Sequence, residues 1–557
     1  MKKNKFISTI SLLLLSTQLM AQTTLIKNIN GYTFLDKSLT QFSAISFTDD
    51  TIDRVYHRAE VVEVPNDALV IDGQGQTMLP GLIDAHGHVI GYGHSLLRVD
   101  LVNTFSELDA VNRTISYAKD NPSMSWVLGR GWNQVQWTNN SYPNAKSLDE
   151  AFPNKPVWLR RVDGHAGWAN SKAMALAGIT ATSKAPAGGE IIKDQKGQPT
   201  GVFIDNAMAL ITANITQPTP IEDKIALKRA MHSLASLGLT SVHDAGIEQK
   251  DIALYKMLAS EGNMTIRING MLYLPSTNWQ QQLEQGPYRT KDDMFAVNSV
   301  KIQADGALGS RGASLINDYS DHSGHKGLLL HDKKILQHYI DFAMNAGFQV
   351  NTHAIGDNAN KLILDLYQRA IKQSKSKALR HRIEHAQVLR LEDIPRFSLL
   401  NVIASMQATH ATSDKNMAVT RLGEKRILGA YAWRKLLDSN AIIAAGSDFP
   451  VESPNPFFGL HASITRQDHK DLPVGGWYAD QKMTRAQALR SFTIDAAYAG
   501  HQEKFIGSLE AGKKADFILL ADDLLTMPES QIWQSQVLQT WVAGKKVFSA
   551  LDVPSTK

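Results

Sequence analysis

Cysteine is absent from this chain of 557 residues. Its absence excludes a disulfide framework, a thiolate metal site, a cysteine nucleophile and a lipid-anchored cysteine, and it suits an oxidising compartment. A strong excess of either charge is missing too. The 58 Lys and Arg residues against 54 Asp and Glu leave a formal charge of +4, to which Lys2, Lys3 and Lys5 contribute. Without that N-terminal cluster the chain is close to neutral, so nothing in the balance points to nucleic acid or an anionic membrane surface. There are no internal repeats and no low-complexity runs. The apolar run Phe6 to Leu15 is too short to span a bilayer comfortably. Set between the basic start Met1 to Lys5 and the stretch Ser16 to Ala21, it reads as a bacterial export signal with cleavage after Ala21. The expectation is a periplasmic or secreted protein with no stable membrane insertion once residues 1–21 are removed.

What is present is the composition of a soluble globular protein, 43% hydrophobic and 20% charged. The length calls for a large barrel plus a smaller unit. Residues 22–79 are β-rich with short turns; Gln41-Phe42-Ser43-Ala44-Ile45-Ser46-Phe47 alternates in strand fashion. From Gly81 apolar strands alternate with long amphipathic stretches, the pattern of βα units. Candidate strands end at His88, Asp244, Leu272, Asp305, His353, His385, Gln407 and Asp448. The expected fold is α/β: a (β/α)8 TIM-type barrel over 80–504, with a large insertion at about 96–221 after the first strand. At the C-terminal side of a barrel strand that insertion would lie over the mouth. Residues 505–557 return to strands, with Val537 to Gly544 and Lys546 to Phe548 resembling a closing hairpin. Together with 22–79 they are expected to form a small composite β-sandwich.

The chemistry starts at Gly81-Leu82-Ile83-Asp84-Ala85-His86-Gly87-His88. In a strand, side chains at i and i+2 share a face, so His86 and His88 present paired imidazoles, which pack poorly but ligate metals well. His353 and His385 end two further strands separated by one helix-length segment, which makes those strands neighbours in a parallel barrel. Asp448 ends the apolar strand Ala441 to Ser447, where a carboxylate must be paired, hydrogen-bonded or metal-bound; a helix N-cap is the plain alternative. Lys301 lies among apolar residues of the strand Ser299 to Gly306. Desolvation would depress its pKa and let the amine form a carbamate that bridges two cations. A salt-bridged lysine, with Asp305 as the bridge instead, is the other reading. Four histidines, an aspartate and a lysine carbamate make a borderline N/O site for one or two Zn2+, with Mn2+, Fe2+ and Ni2+ as alternatives. Such a site would lower the pKa of water and deliver hydroxide to a carbonyl, with Asp448 carrying the proton to the leaving nitrogen.

These segments resemble the amidohydrolase superfamily: Leu79 to His88, Thr352-His353-Ala354, Ile383-Glu384-His385 and Gly446-Ser447-Asp448. More narrowly the chain is similar to the YtcJ-like (amidohydrolase-3) branch, through Gly129 to Trp132, Arg161 to His165, Gly188 to Ile191, Pro199 to Val202, Asp305 to Arg311, Gln407 to Ala411 and Gly507 to Phe517. The resemblance implies a metal-dependent barrel hydrolysing non-peptide C–N bonds. It implies His86 and His88 on one metal, His353 and His385 on the other, Asp448 as ligand and base, and Lys301 as the bridging carbamate. The branch includes N-substituted formamide deformylases.

Around that set, His410 could polarise a substrate carbonyl or bond to backbone, and Arg311 could clamp a substrate carboxylate or be solvated. His243, Asp244 and Asp84 are candidates to support ligands from behind. Trp132, Trp137, Asp163, His165 and Trp168 are candidates for a lid or substrate wall, against the plainer reading of packing within the insertion. His94 and His232 read as structural, and His322 and His325 as residues of a polar loop. The leading expectation is an exported amidohydrolase acting on a small amide, N-substituted formamide or cyclic amide. Deamination, ester or lactone hydrolysis on the same site, and metal-dependent binding without turnover, are the competing ones. Homo-oligomerisation is left open.

Overall fold

The computed structural model describes residues 22–552 except 37, 65, 123, 135–136, 163–165, 187–188 and 217, so the expected export signal lies outside the described residues. Eight parallel strands form the centre: β1 (Leu82–Gly87), β2 (Leu239–Ile247), β3 (Arg267–Leu274), β4 (Phe295–Gln303), β5 (Gln349–Ala354), β6 (Arg382–His385), β7 (Ile403–Gln407) and β8 (Ile443–Gly446). They follow one another in chain order around a TIM-type barrel, with helices on the outside. The strand ends fall within three residues of the positions expected from sequence.

Register decides what faces inward. Lys301 pairs with Asn351 and Gln303 with His353, while Asn351 pairs with Arg382 and His353 with Glu384. Paired residues point to one face of a sheet, so these side chains share the barrel interior. The opposite end of the barrel is plugged. The helix Ile494–Ala499 ends there, with the Gln349 amide donating to Ala499 O at 2.8 Å and Asn269 to Gly500 O at 2.9 Å. Gly500 is needed at this floor: a Cβ would meet His243 Nε2 at 2.6 Å and Asn269 Nδ2 at 2.7 Å. With the floor filled, chemistry is confined to the C-terminal ends of the strands.

The two chain ends hydrogen-bond into one sheet. The strand Phe517–Leu520 pairs antiparallel with Thr77–Pro80, which pairs with Thr23–Leu35. Phe42, Phe47, Met78, Phe517 and Leu519 form its core. The insertion is a separate six-stranded sheet with its own cores, and it ends where Pro220–Ser236 begins. Thr219 caps that helix through a reciprocal pair with Glu222, and Pro220 occupies the first turn.

One buried ion pair ties the composite sheet to the barrel. Arg267, at the start of β3, donates to Asp516 from Nε at 2.7 Å and Nη2 at 2.9 Å, and Ala543 N donates to the same carboxylate at 2.7 Å. Asp516→Ala would strand the Arg267 charge, so a loss of about 3–5 kcal/mol is expected by chemical denaturation. A second measurement uses pH. His381 accepts the Val350 N–H at Nδ1 (3.0 Å), and burial pushes its pKa down to about 3 from 6.5. Between those values the unfolded chain binds a proton that the folded chain refuses. The stability difference between wild type and His381→Gln should be full above pH 6.5 and shrink as pH falls toward 3.

Candidate metal centre

The seam between β8 and β1 assembles the first half of the site. Asp448 N donates to His86 O at 2.7 Å and His88 N to Phe449 O at 2.8 Å. Asp84 fastens the same seam, accepting from Ser447 Oγ at 2.6 Å, Ser447 N at 3.1 Å and His86 N at 2.9 Å. Burial pushes the Asp84 carboxyl up to about 7. Gly446 lets the strands meet, since a Cβ there would lie 2.6 Å from His86 N and 2.7 Å from Asp84 Oδ1. This zipper sets the Asp448 carboxylate beside both histidines, with Oδ1 at 3.1 Å from His88 Nε2 and 3.5 Å from His86 Nε2.

The second half comes from β5, β6 and the helix Ala408–Asp414 after β7. The His385 ring lies 4.9 Å from that of His86 and 4.5 Å from that of His353. His410 stacks near His385 at 5.9 Å, and its Nε2 is 3.8 Å from Asp448 Oδ2. Two donor groups converge, His86 with His88 and Asp448, and His385 with His410 and Asp448, each with ligand atoms within 4.8 Å of one another. His353 Nε2 and His410 Nε2 are buried with no hydrogen-bond partner. Such orphaned nitrogens are costly unless something occupies them, so the donor set fits a divalent cation. Burial and the nearby Lys301 charge push His86 to about 4 and His353 to about 3, and His385 is also held well below its ordinary value. Burial thus favours the neutral form of these three imidazoles, the form that ligates. Lys301 Nζ lies 3.1 Å from His86 Nε2, and burial depresses its pKa.

Glu384 and Arg382 have no assigned role in the sequence reading, yet they stand directly behind the histidines. The Glu384 carboxylate contacts His86 Nδ1, and Arg382 Nε is 2.8 Å from its other oxygen. Burial works to raise the Glu384 pKa, but the Arg382 guanidinium and His86 hold it well below the usual carboxylate range. Arg382 also bonds to His243 Nδ1 at 2.9 Å and Ser405 Oγ at 2.8 Å. The signal was the i, i+2 spacing of Arg382 and Glu384, which puts opposite charges on one strand face. Asp244, expected as support, accepts from Val89 N at 3.1 Å and Tyr255 OH at 2.6 Å, fixing the turn after His88.

Other sequence candidates lie elsewhere. The Asp305 carboxylate accepts three backbone N–H groups, from Ser314, Ile355 and Gly356, at 2.8–2.9 Å, and its Oδ1 lies 3.7 Å from His353 Nε2. Arg311 is no substrate clamp in this arrangement, since its guanidinium is engaged by Asp321 at 2.8 Å on the same loop. Trp132 is not a substrate wall. It is fully buried in the insertion's core against Trp137 and Trp168, and its indole N–H donates to Leu159 O at 2.7 Å. Asp163 and His165 lie outside the described residues.

The amidohydrolase family model matches residues 69–548. The chain belongs to the YtcJ-like branch of the amidohydrolase family. It is similar to Protein LONG AFTER FAR-RED 3 of Arabidopsis thaliana, 34% identical over 85% of this chain and 83% of that protein. It is 31% identical to the putative amidohydrolase YtcJ of Bacillus subtilis, over 85% of this chain and 89% of that protein. An N-substituted formamide deformylase of Arthrobacter pascens is 27% identical over 86% and 89%. Among solved structures, an uncharacterized metal-dependent hydrolase from Pyrococcus horikoshii superposes with a TM-score of 0.75 at 26% identity, covering 91% of this chain and 99% of its own. Membership makes this chain a metal-dependent hydrolase.

Gly446→Ala tests the seam. The added methyl would meet the His86 backbone nitrogen and the Asp84 carboxylate, which three hydrogen bonds hold in place, so a loss of about 1–3 kcal/mol is expected, read as a lowered thermal midpoint together with reduced metal retention.

Proposed function

We propose that the protein is an exported hydrolase of a small amide, N-substituted formamide or cyclic amide, with Asp448 as proton carrier. The observation that carries this reading is the position of Asp448, whose two oxygens address different histidine groups at once. His86, His88, His353, His385 and Asp448 would hold one or two divalent cations, zinc first, since the set is imidazole and carboxylate without sulfur. The cation supplies Lewis acidity, lowering the pKa of water toward neutrality and polarising a carbonyl.

The chain's own residues do the rest. Asp448 takes the proton of the attacking water and passes it to the leaving nitrogen, so one carboxylate serves both halves of the hydrolysis. Its seam bonds fix it for both steps. His410, whose buried Nε2 has no hydrogen-bond partner, would donate to the substrate carbonyl oxygen. Lys301, with its amine shifted toward the neutral form by burial, would add to carbon dioxide: Nζ bonds the carbon, one proton leaves and an anionic carbamate results. The bond class is supported by family membership and by the named deformylase relative. Export is supported by the basic and apolar pattern of residues 1–21. Among the described residues no helix is long and apolar enough to cross a membrane.

Asp448→Asn should lower turnover of an N-substituted formamide at least about 100-fold while elemental analysis still finds most of the metal. Retained turnover would remove Asp448 from the proton path. Metal content of the wild type near two equivalents, rising with added bicarbonate and lost in Lys301→Ala, is the expected result for a carbamate bridge; about one equivalent, unmoved by bicarbonate, would leave Lys301 a structural role.

A further inference from the structure

The histidines of the candidate metal centre are supported unequally from behind. His86 Nδ1 meets the Glu384 carboxylate, which is fully buried and ion-paired to Arg382 at 2.8 Å. Arg382 is anchored in turn by Ala85 O at 2.6 Å, Ser405 Oγ at 2.8 Å and His243 Nδ1 at 2.9 Å. A guanidinium does not release its proton in proteins, so Glu384 stays an anionic acceptor. That places the imidazole proton on Nδ1 and turns the Nε2 lone pair toward Lys301 and Asp448, 3.1 and 3.5 Å away. His385 Nδ1 instead meets Gln407 Oε1 at 2.8 Å, a neutral acceptor whose amide nitrogen donates to Ser405 O at 3.4 Å. His353 Nε2 is buried without a hydrogen bond; the nearest carboxylate oxygen, Asp305 Oδ1, is 3.7 Å away and already accepts the Ile355 N–H.

Carboxylate support orients a ligating imidazole and raises its basicity, and hydrogen bonds to an ionised partner are roughly twice as strong as neutral ones. The ordering force is therefore concentrated on one side of the site. We infer that the centre takes up metal in two unequal steps: the position framed by His86, His88 and Asp448 fills first and holds tightly, with Glu384 as its positioning residue, while the position framed by His353 and His385 is the weaker, exchangeable one. This rests on the metal-centre reading given under Proposed function. It adds an order of filling and a role for Glu384 that the five donor residues do not specify.

The test is a titration of the metal-free full-length protein with Zn2+ against a chromophoric chelator, reading affinities and not activity. Two steps are expected in the wild type, the first at least about tenfold tighter. Glu384→Gln should weaken the first step by about 10–100-fold and spare the second, whereas Gln407→Ala should weaken only the second. Should the buried Glu384 variant fail to fold, the His88→Asn and His353→Asn pair decides the order: His353→Asn keeps the tight step and His88→Asn loses it. Two steps of equal affinity, or a tight step that survives in His88→Asn and vanishes in His353→Asn, would overturn the inference and leave the metal-centre reading intact. No zinc bound by the folded wild type would overturn both.

Discussion

Closing the barrel and building the site are one physical event in this protein. The first and last strands are far apart in the chain, and their meeting is secured by Asp84, which gathers the Ser447 hydroxyl and amide and the His86 amide around one buried carboxylate. A carboxyl with its pKa near 7 is an expensive fastener unless its oxygens are fully bonded, and three donors bond them. Asp448 and His88 are held across the seam by backbone bonds, so the Asp448 carboxylate is positioned by the same contacts that turn eight strands into a ring.

The interior polar network follows from that geometry. An HxH pair on an inward strand face needs an acceptor for the ring nitrogen turned away from the ligand, and the inner face of β6 provides it as Glu384. Glu384 in turn needs a cation, and Arg382 two residues earlier on the same face is that cation. Arg382 then requires acceptors, which Ala85, Ser405 and His243 supply. Each buried charge is thus answered by the next residue inward, until the chain of contacts reaches Gln502 and the sealed floor. Buried polar networks are costly when left incomplete, and this one is continuous from the histidines to the floor.

Local periodicity made much of the fold and of the donor set readable. His86 and His88 are visible because a strand puts i and i+2 on one face, and the βα alternation places His353, His385 and Asp448 at strand ends. Asp448's dependence on Asp84 was not readable, because Asp84 and the Ser447 it binds are 363 residues apart along the chain and meet only on closure. The same holds for Glu384 behind His86, 298 residues away. The Arg311 reading failed for the opposite reason: its partner, Asp321, is nearby in sequence but is reached through a loop with no periodicity to fix its course. Trp132 failed because an aromatic in an insertion reads alike whether it faces a cavity or its own core, and the insertion proved large enough to have a core.

Backbone conformation adds a last step. His385, Ala386 and Asp448 adopt φ of 73°, 43° and 62°, in the left-handed region that residues with a Cβ rarely enter. Such positions cost on the order of 1–3 kcal/mol each, and they occur where β6 ends and just beyond β8. An ordinary strand continuation would keep the side chains in strict alternation, directing successive residues to opposite faces. The left-handed turn breaks that alternation, so His385 can follow the inward-facing Glu384 and still join the cluster, and Asp448 can leave the strand and face His86 and His88. Two of these three positions, His385 and Asp448, are therefore residues whose side chains depart from the strand pattern, and the strain is offset by the seam bonds around Asp448 and by the Gln407 contact that holds His385.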